Sequence, residues 1–142
     1  MGNFERDLAE SEIATRKLIK ALKANGIELV YLSDSKEYDF VVKKKGKVRK
    51  VEFKNDIKAE TTGRVAIEKW SRGKPSGICT TEADYYIYQI GKAYYVMQTM
   101  KLAQFLLANS IETARGGDNN TSLMYIIPIP IFKKLKFVKQ IL

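Results

Sequence analysis

Over residues 3–25 apolar positions recur at three- and four-residue steps: Phe4, Leu8, Thr15, Leu18, Ile19 and Leu22 form one row, which predicts an amphipathic helix. Asn3 reads as its N-cap and Asn25-Gly26 as its stop, the glycine being free to take the left-handed conformation that ends many helices. Glu12 falls one turn after Leu8 and one turn before Thr15, so a carboxylate interrupts the row that faces the core.

Beyond the helix the period shortens to two. Residues 27–32, 38–42 and 48–54 read as strands, the last two joined by the basic turn Lys43-Lys44-Lys45-Gly46-Lys47. Residues 64–70 give a further strand and 71–77 a polar, basic loop without regular structure. Residues 84–90 and 92–98 form a second hairpin about Gly91. Thr99 caps a short helix to about Asn109, with Met100, Ala103, Leu106 and Leu107 facing inward. Residues 111–122 read as a surface loop and 123–127 as a strand that Pro128 and Pro130 place at a sheet edge. The tail, 131–142, mixes lysines with apolar residues and fits a strand or a short helix. The expected order up to residue 109 is α-β-β-β-β-β-β-α, an α/β chain.

Composition narrows the chemistry. At 142 residues, 45% hydrophobic and 29% charged, the chain fits one domain over 1–142, with no composition break that would give a second core. No apolar run approaches the ~18–20 residues that cross a bilayer, and the first residues are charged rather than signal-like, which points to an intracellular, cytoplasmic protein without a membrane partner. There is no histidine, and Cys79 is the only cysteine, read here as a packing residue. A catalytic triad, a Cys–His pair and a tetrahedral zinc site are thereby excluded within one chain, so acid–base and metal chemistry rest on Asp, Glu, Lys and Tyr. The net charge of +9 favours polyanions, nucleic acid first.

The most informative stretch is Tyr38-Asp39-Phe40-Val41-Val42, the lysine turn, then Lys50-Val51-Glu52-Phe53-Lys54. Glu52 and Lys54, two apart on a strand, share a face, while Val51 and Phe53 take the apolar one. Asp39 begins the neighbouring antiparallel strand, and a hairpin about Gly46 lays it across from Glu52 and Lys54. Two carboxylates and a lysine at a sheet end suit Mg²⁺, or Mn²⁺ in its place, with Asp39, Glu52 and the Phe53 carbonyl as ligands. Lys54 then stands beside an attacking water, so phosphodiester hydrolysis needs no imidazole.

With Asp39 as first acid and Glu52-Phe53-Lys54 as an E-x-K element, the sequence resembles the PD-(D/E)xK nuclease superfamily; Tyr38 stands where that motif has its proline. The resemblance covers residues 3–70 and implies a restriction-endonuclease-like core, a mixed central β-sheet flanked by helices. Within the superfamily the layout is most similar to archaeal and phage Holliday junction resolvases, whose first helix gives a glutamate to the metal site. Glu12 matches that glutamate, with Glu5 and Glu10 as competitors. The resemblance implies Mg²⁺-dependent cleavage of branched DNA, a four-way junction, by a homodimer, in a protein that is cytoplasmic and, if phage-encoded, acts in the host cytoplasm. The alternatives are a phage-type or homing endonuclease of the same fold cutting duplex DNA, and a non-catalytic nucleic-acid-binding domain.

The remaining positions read as contacts to the DNA backbone: Arg72, Lys74 and Ser76, with Ser71, Thr80 and Thr81 hydroxyls nearby, and Lys44 and Lys45 of the first hairpin. Glu68 either supplements the metal site or pairs with Lys54 or Lys69. Tyr85, Tyr86, Tyr88, Tyr94 and Tyr95 read as sheet packing.

Overall fold

A computed structural model describes residues 2–141, with side chains for all of these except 2–8 and 118. The Asn3 cap, the Phe4 and Leu8 positions and the competitor Glu5 lie outside the described side chains. Two sheets organise the chain. The larger is built from β1 (Glu28–Leu32), β2 (Phe40–Lys44), β3 (Lys47–Asn55), β6 (Tyr85–Ile90), β7 (Ala93–Gln98) and β10 (Lys139–Gln140), in the spatial order β1-β2-β3-β6-β7-β10. Its neighbours pair antiparallel except β3 and β6, which run parallel with Glu52 opposite Tyr86 and Lys54 opposite Tyr88. The smaller sheet is antiparallel, β5 (Lys74–Pro75), β4 (Arg64–Ser71), β9 (Ser122–Pro128) and β8 (Thr113–Gly116).

Helix α1 (Gly2–Ala24) lies on one face of the larger sheet, where Ala14, Leu18 and Leu22 pack against Phe40, Val42, Val51, Phe53 and Ile87. The opposite face carries Tyr86, Tyr88, Tyr95 and Met97. These join Val65, Ile67 and Ile127 of the smaller sheet, Leu102 and Leu106 of α3 (Thr99–Ala108), Phe132 of α4 (Ile129–Lys134) and Ala59 of α2 (Ala59–Thr62). Alternation along β3 decides the division: Val51 and Phe53 point to α1, Glu52 and Lys54 to the other side. The chain is thus mixed α/β, a mixed sheet flanked by helices. Two buried clusters occupy the two faces of one sheet. No helix among the described residues is long and apolar enough to cross a membrane.

The structure corrects several expectations. The stretch 71–77 is a tight hairpin, Arg72 and Gly73 both at positive φ between β4 and β5. The expected surface loop 111–122 contains β8, and β9 lies between β4 and β8 rather than at an edge; Pro128 ends it, and Pro130 sits in the first turn of α4. The tail folds as α4 followed by the short strand β10. Helix α3 forms where expected but turned, with Leu102 and Leu106 buried while Met100 and Leu107 are exposed; its composition is apolar on most sides, so periodicity does not fix its inward face. Thr99 begins α3 without a side-chain cap; its hydroxyl is buried without a hydrogen-bond partner. Cys79 is exposed rather than packed, at the end of a 3-10 turn (Gly77–Cys79). Tyr86, Tyr88 and Tyr95 are buried packing residues, as the strand pattern implies.

Candidate active site

The β2–β3 hairpin closes through Lys45 and Gly46, both at positive φ, which fixes the register Phe40 to Val51 and carries Asp39 to the level of Glu52. The Asp39 amide donates to the Val51 carbonyl at 2.9 Å, and its Oδ2 accepts from the Phe53 amide at 2.7 Å. The backbone of β3 therefore holds the first acid by both its main chain and its side chain, leaving Oδ1 free of that bond.

Glu52 is only 9% exposed, the one buried acidic residue among the described residues. Its Oε2 lies 3.2 Å from Lys54 Nζ, the two side chains leaving the same face of β3. Burial pushes the Glu52 carboxyl above the usual carboxylate range; the Lys54 ammonium opposes that shift, and the charge and hydrogen bond of Asp39 reinforce it. The three residues named by the motif are therefore brought together: two carboxylates face one another and a lysine balances one of them.

Tyr86, opposite Glu52 in the parallel register, closes the site from the β6 side. Burial raises its phenol strongly, and the charges of Glu52, Asp39 and Glu68 add to the shift, while a hydrogen bond with Thr81 opposes it. Its partnership with Glu52 is invisible in the sequence, because the β3–β6 register is set across the whole intervening crossover. The next phenol along, Tyr88, donates to the Ala66 carbonyl at 3.2 Å and ties β6 to the smaller sheet.

Glu68 supports the far side of Tyr86. Its two oxygens accept from the Ser76 and Ser122 hydroxyls, each at 3.0 Å. It pairs with neither of the lysines considered for it: Lys54 is on Glu52, and Lys69 lies over the Tyr125 ring at 4.5 Å. Gly77 makes this clasp possible, because at φ +53 a Cβ there would meet the Glu68 carbonyl oxygen at 2.1 Å.

Other expected site residues are elsewhere. Glu12 is exposed on α1, and α1 covers the face of Val51 and Phe53, opposite to the one from which Glu52 projects. Among the described residues no group of three Asp, Glu, Cys or His is placed to hold a metal ion, so Glu12 does not complete the acid pair. Lys44 shares its face with Val42 and so points to the α1 side, at the far end of the hairpin, and Lys45 occupies the turn. Neither flanks the acids. Arg72 and Lys74 are exposed on the β4–β5 hairpin, but the Ser76 hydroxyl is engaged by Glu68, and that of Thr81 donates to the Glu37 carbonyl at 2.9 Å. Of the hydroxyls expected to face phosphate, those of Ser76 and Thr81 thus serve the fold.

The donor set is all oxygen: two carboxylates, one held by a backbone amide and one buried beside a lysine, with the Phe53 carbonyl between them in sequence. Oxygen donors of this charge fit Mg²⁺ or Mn²⁺ and not a thiophilic metal. A bound cation would also offset the burial, and after it the Asp39 charge, that raise the Glu52 carboxyl. No protein-family model matches the chain, and neither a curated protein nor a solved structure is significantly similar to it.

Proposed function

We propose that the chain is a Mg²⁺-dependent DNA endonuclease with a restriction-endonuclease-like core. The observation that carries this reading is the convergence of Asp39, buried Glu52 and Lys54 where β2 meets β3, with Lys54 Nζ 3.2 Å from Glu52. The substrate class follows from the net charge of +9 and from the likeness of the motif and of the order α1-β1-β2-β3 to Holliday junction resolvases; a four-way junction is the substrate and a homodimer the acting form.

Asp39 and Glu52 are the residues that would hold the metal, with the Phe53 carbonyl as a third donor. When bound, the ion supplies Lewis-acid polarisation of a phosphoryl oxygen and neutralises developing charge. The chain does the rest. The Phe53 amide fixes the Asp39 carboxylate, and the aliphatic and aromatic surroundings of Glu52 keep its neighbourhood dry. Lys54, 42% exposed at its side chain, has the reach to orient a water or meet a phosphate oxygen once Glu52 is otherwise neutralised. Arg72 and Lys74 are free to take backbone phosphates at a second place on the surface.

A labelled immobile junction and the matching linear duplex, each with Mg²⁺ or EDTA, test the reading alongside Glu52→Ala. Paired symmetric nicks confined to the junction, absent with EDTA and in the variant, support it. Cutting of both substrates moves the assignment to a duplex endonuclease of the same fold. Metal-independent binding without cutting supports the second reading, a nucleic-acid-binding domain. One observation favours that alternative: Lys54 already pairs with Glu52 at 3.2 Å, an ion pair that needs no metal.

A further inference from the structure

Helix α1 spans 23 residues, about 34 Å at 1.5 Å per residue, yet among its described side chains the buried ones, Ala14, Leu18 and Leu22, all lie in its second half. Residues 9–13 are exposed without exception. Five consecutive helical positions cover the full circumference, so this stretch is open to solvent on every side of the helix. It is not a polar stretch either: Ile13 is 52% exposed, and Phe4 and Leu8 precede it in sequence. A helical stretch with no packing surface is marginal in water, whereas one laid on an apolar surface is not.

Such a surface lies beside the other end of the same helix. A groove of about 570 Å³ opens between Leu22 and the β2–β3 hairpin, with Val42, Val51 and Ile87 in its floor. Lys44, Lys47 and Arg49 stand at its rim; the hairpin register puts these three on the α1 side of the sheet, together with Val42. The charge of the exposed stretch is the complement. Residues 9–13 carry Glu10 and Glu12 and no basic residue, on a chain whose net charge is +9. A second copy is repelled by most of this surface and attracted by the groove through its acid-rich segment.

We propose that two copies associate by laying the exposed stretch of α1 around residues 9–13 of each into the basic groove of the other. Because the groove adjoins the C-terminal end of the resident helix, the incoming segment runs antiparallel to it, and one two-fold axis satisfies both contacts at once. This deepens the dimer expected of a resolvase by naming its interface, but its test involves no DNA and no metal, so it stands or falls apart from the cleavage reading.

The test is sedimentation velocity on the full chain at micromolar concentration. The native protein runs as a dimer of twice 16.2 kDa. Lys44→Glu/Lys47→Glu and Glu10→Lys/Glu12→Lys each weaken self-association about a hundredfold. An equimolar mixture of the two regains the dimer, since every acidic helix then meets a basic groove and every basic helix an acidic one. Far-UV circular dichroism checks that each variant is folded, and Ile13→Asp, which removes the apolar contact, replaces a variant that is not. A native chain that stays monomeric overturns the proposal. So does a dimer that survives both charge reversals, or a mixture that regains nothing, because either places the contact elsewhere or gives the groove another occupant.

Discussion

The two ends of the β2–β3 hairpin are built from the same alternation and do opposite things. At the open end Asp39, Glu52 and Lys54 gather on the face away from α1, with an acid driven into a buried position against its electrostatic preference. At the closed end Lys44, Lys47 and Arg49 face the α1 side around an apolar floor, exposed and unburdened by burial. A strand has two faces, and this hairpin uses one at each end. The difference separates a charge held at a cost by burial from charges that stay in water.

The largest effect separating the ends is on catalysis: Glu52→Ala lowers Mg²⁺-dependent cleavage by about a thousandfold in single-turnover assays, while the folded fraction is retained. Next in size is a test of the floor that both ends share. Phe40 is fully buried under α1, and Phe40→Ala costs about 3–5 kcal/mol, read from the urea midpoint. Gly77→Ala strikes the clasp behind Tyr86; the added methyl collides with the Glu68 carbonyl, and the expected loss is about 2 kcal/mol, seen in the same titration.

The smallest effect has the opposite sign. Glu52 holds its proton more tightly folded than unfolded, so the stability this gives is present at acid pH and is lost as pH rises from the ordinary glutamate range through the raised folded value. Glu52→Gln removes that loss and the repulsion by Asp39, at the expense of the Lys54 pair. The variant melts about 3 °C above the native protein at neutral pH and no higher than it in acid, while cleavage is abolished. A melting temperature lowered at neutral pH would show that the ion pair outweighs the burial of the charge.

What was legible in the sequence was local. Strand alternation correctly put Glu52 and Lys54 on one face, and the glycine turn correctly brought Asp39 to them, because a hairpin's register follows from its own turn. Glu12 misled for an instructive reason. Its break in the apolar row is real, but residues 9–13 around it are all exposed, so the break marks a solvent-facing stretch and not a buried acid. Tyr86 and the Ser76–Glu68–Ser122 bonds could not be read, because each joins segments whose relative placement is set by the crossover between β3 and β6 and by the pairing of β4 with β9.

The parallel pairing of β3 with β6 also orders events in time. Val51 and Tyr85 stand opposite each other although the whole β4–β5 hairpin of the smaller sheet separates them along the chain, whereas Asp39 and Glu52 belong to one hairpin. Hairpins of that kind close within about 1–10 μs, while a non-local parallel pairing waits on the closure of a long loop. The acid pair therefore forms with Glu52 still in water, and its desolvation falls on the later step in which β6 and Tyr86 arrive. The charge of Glu52 is in this way a brake on the docking of the sheet, one that a cation, if the site takes one as proposed, would release.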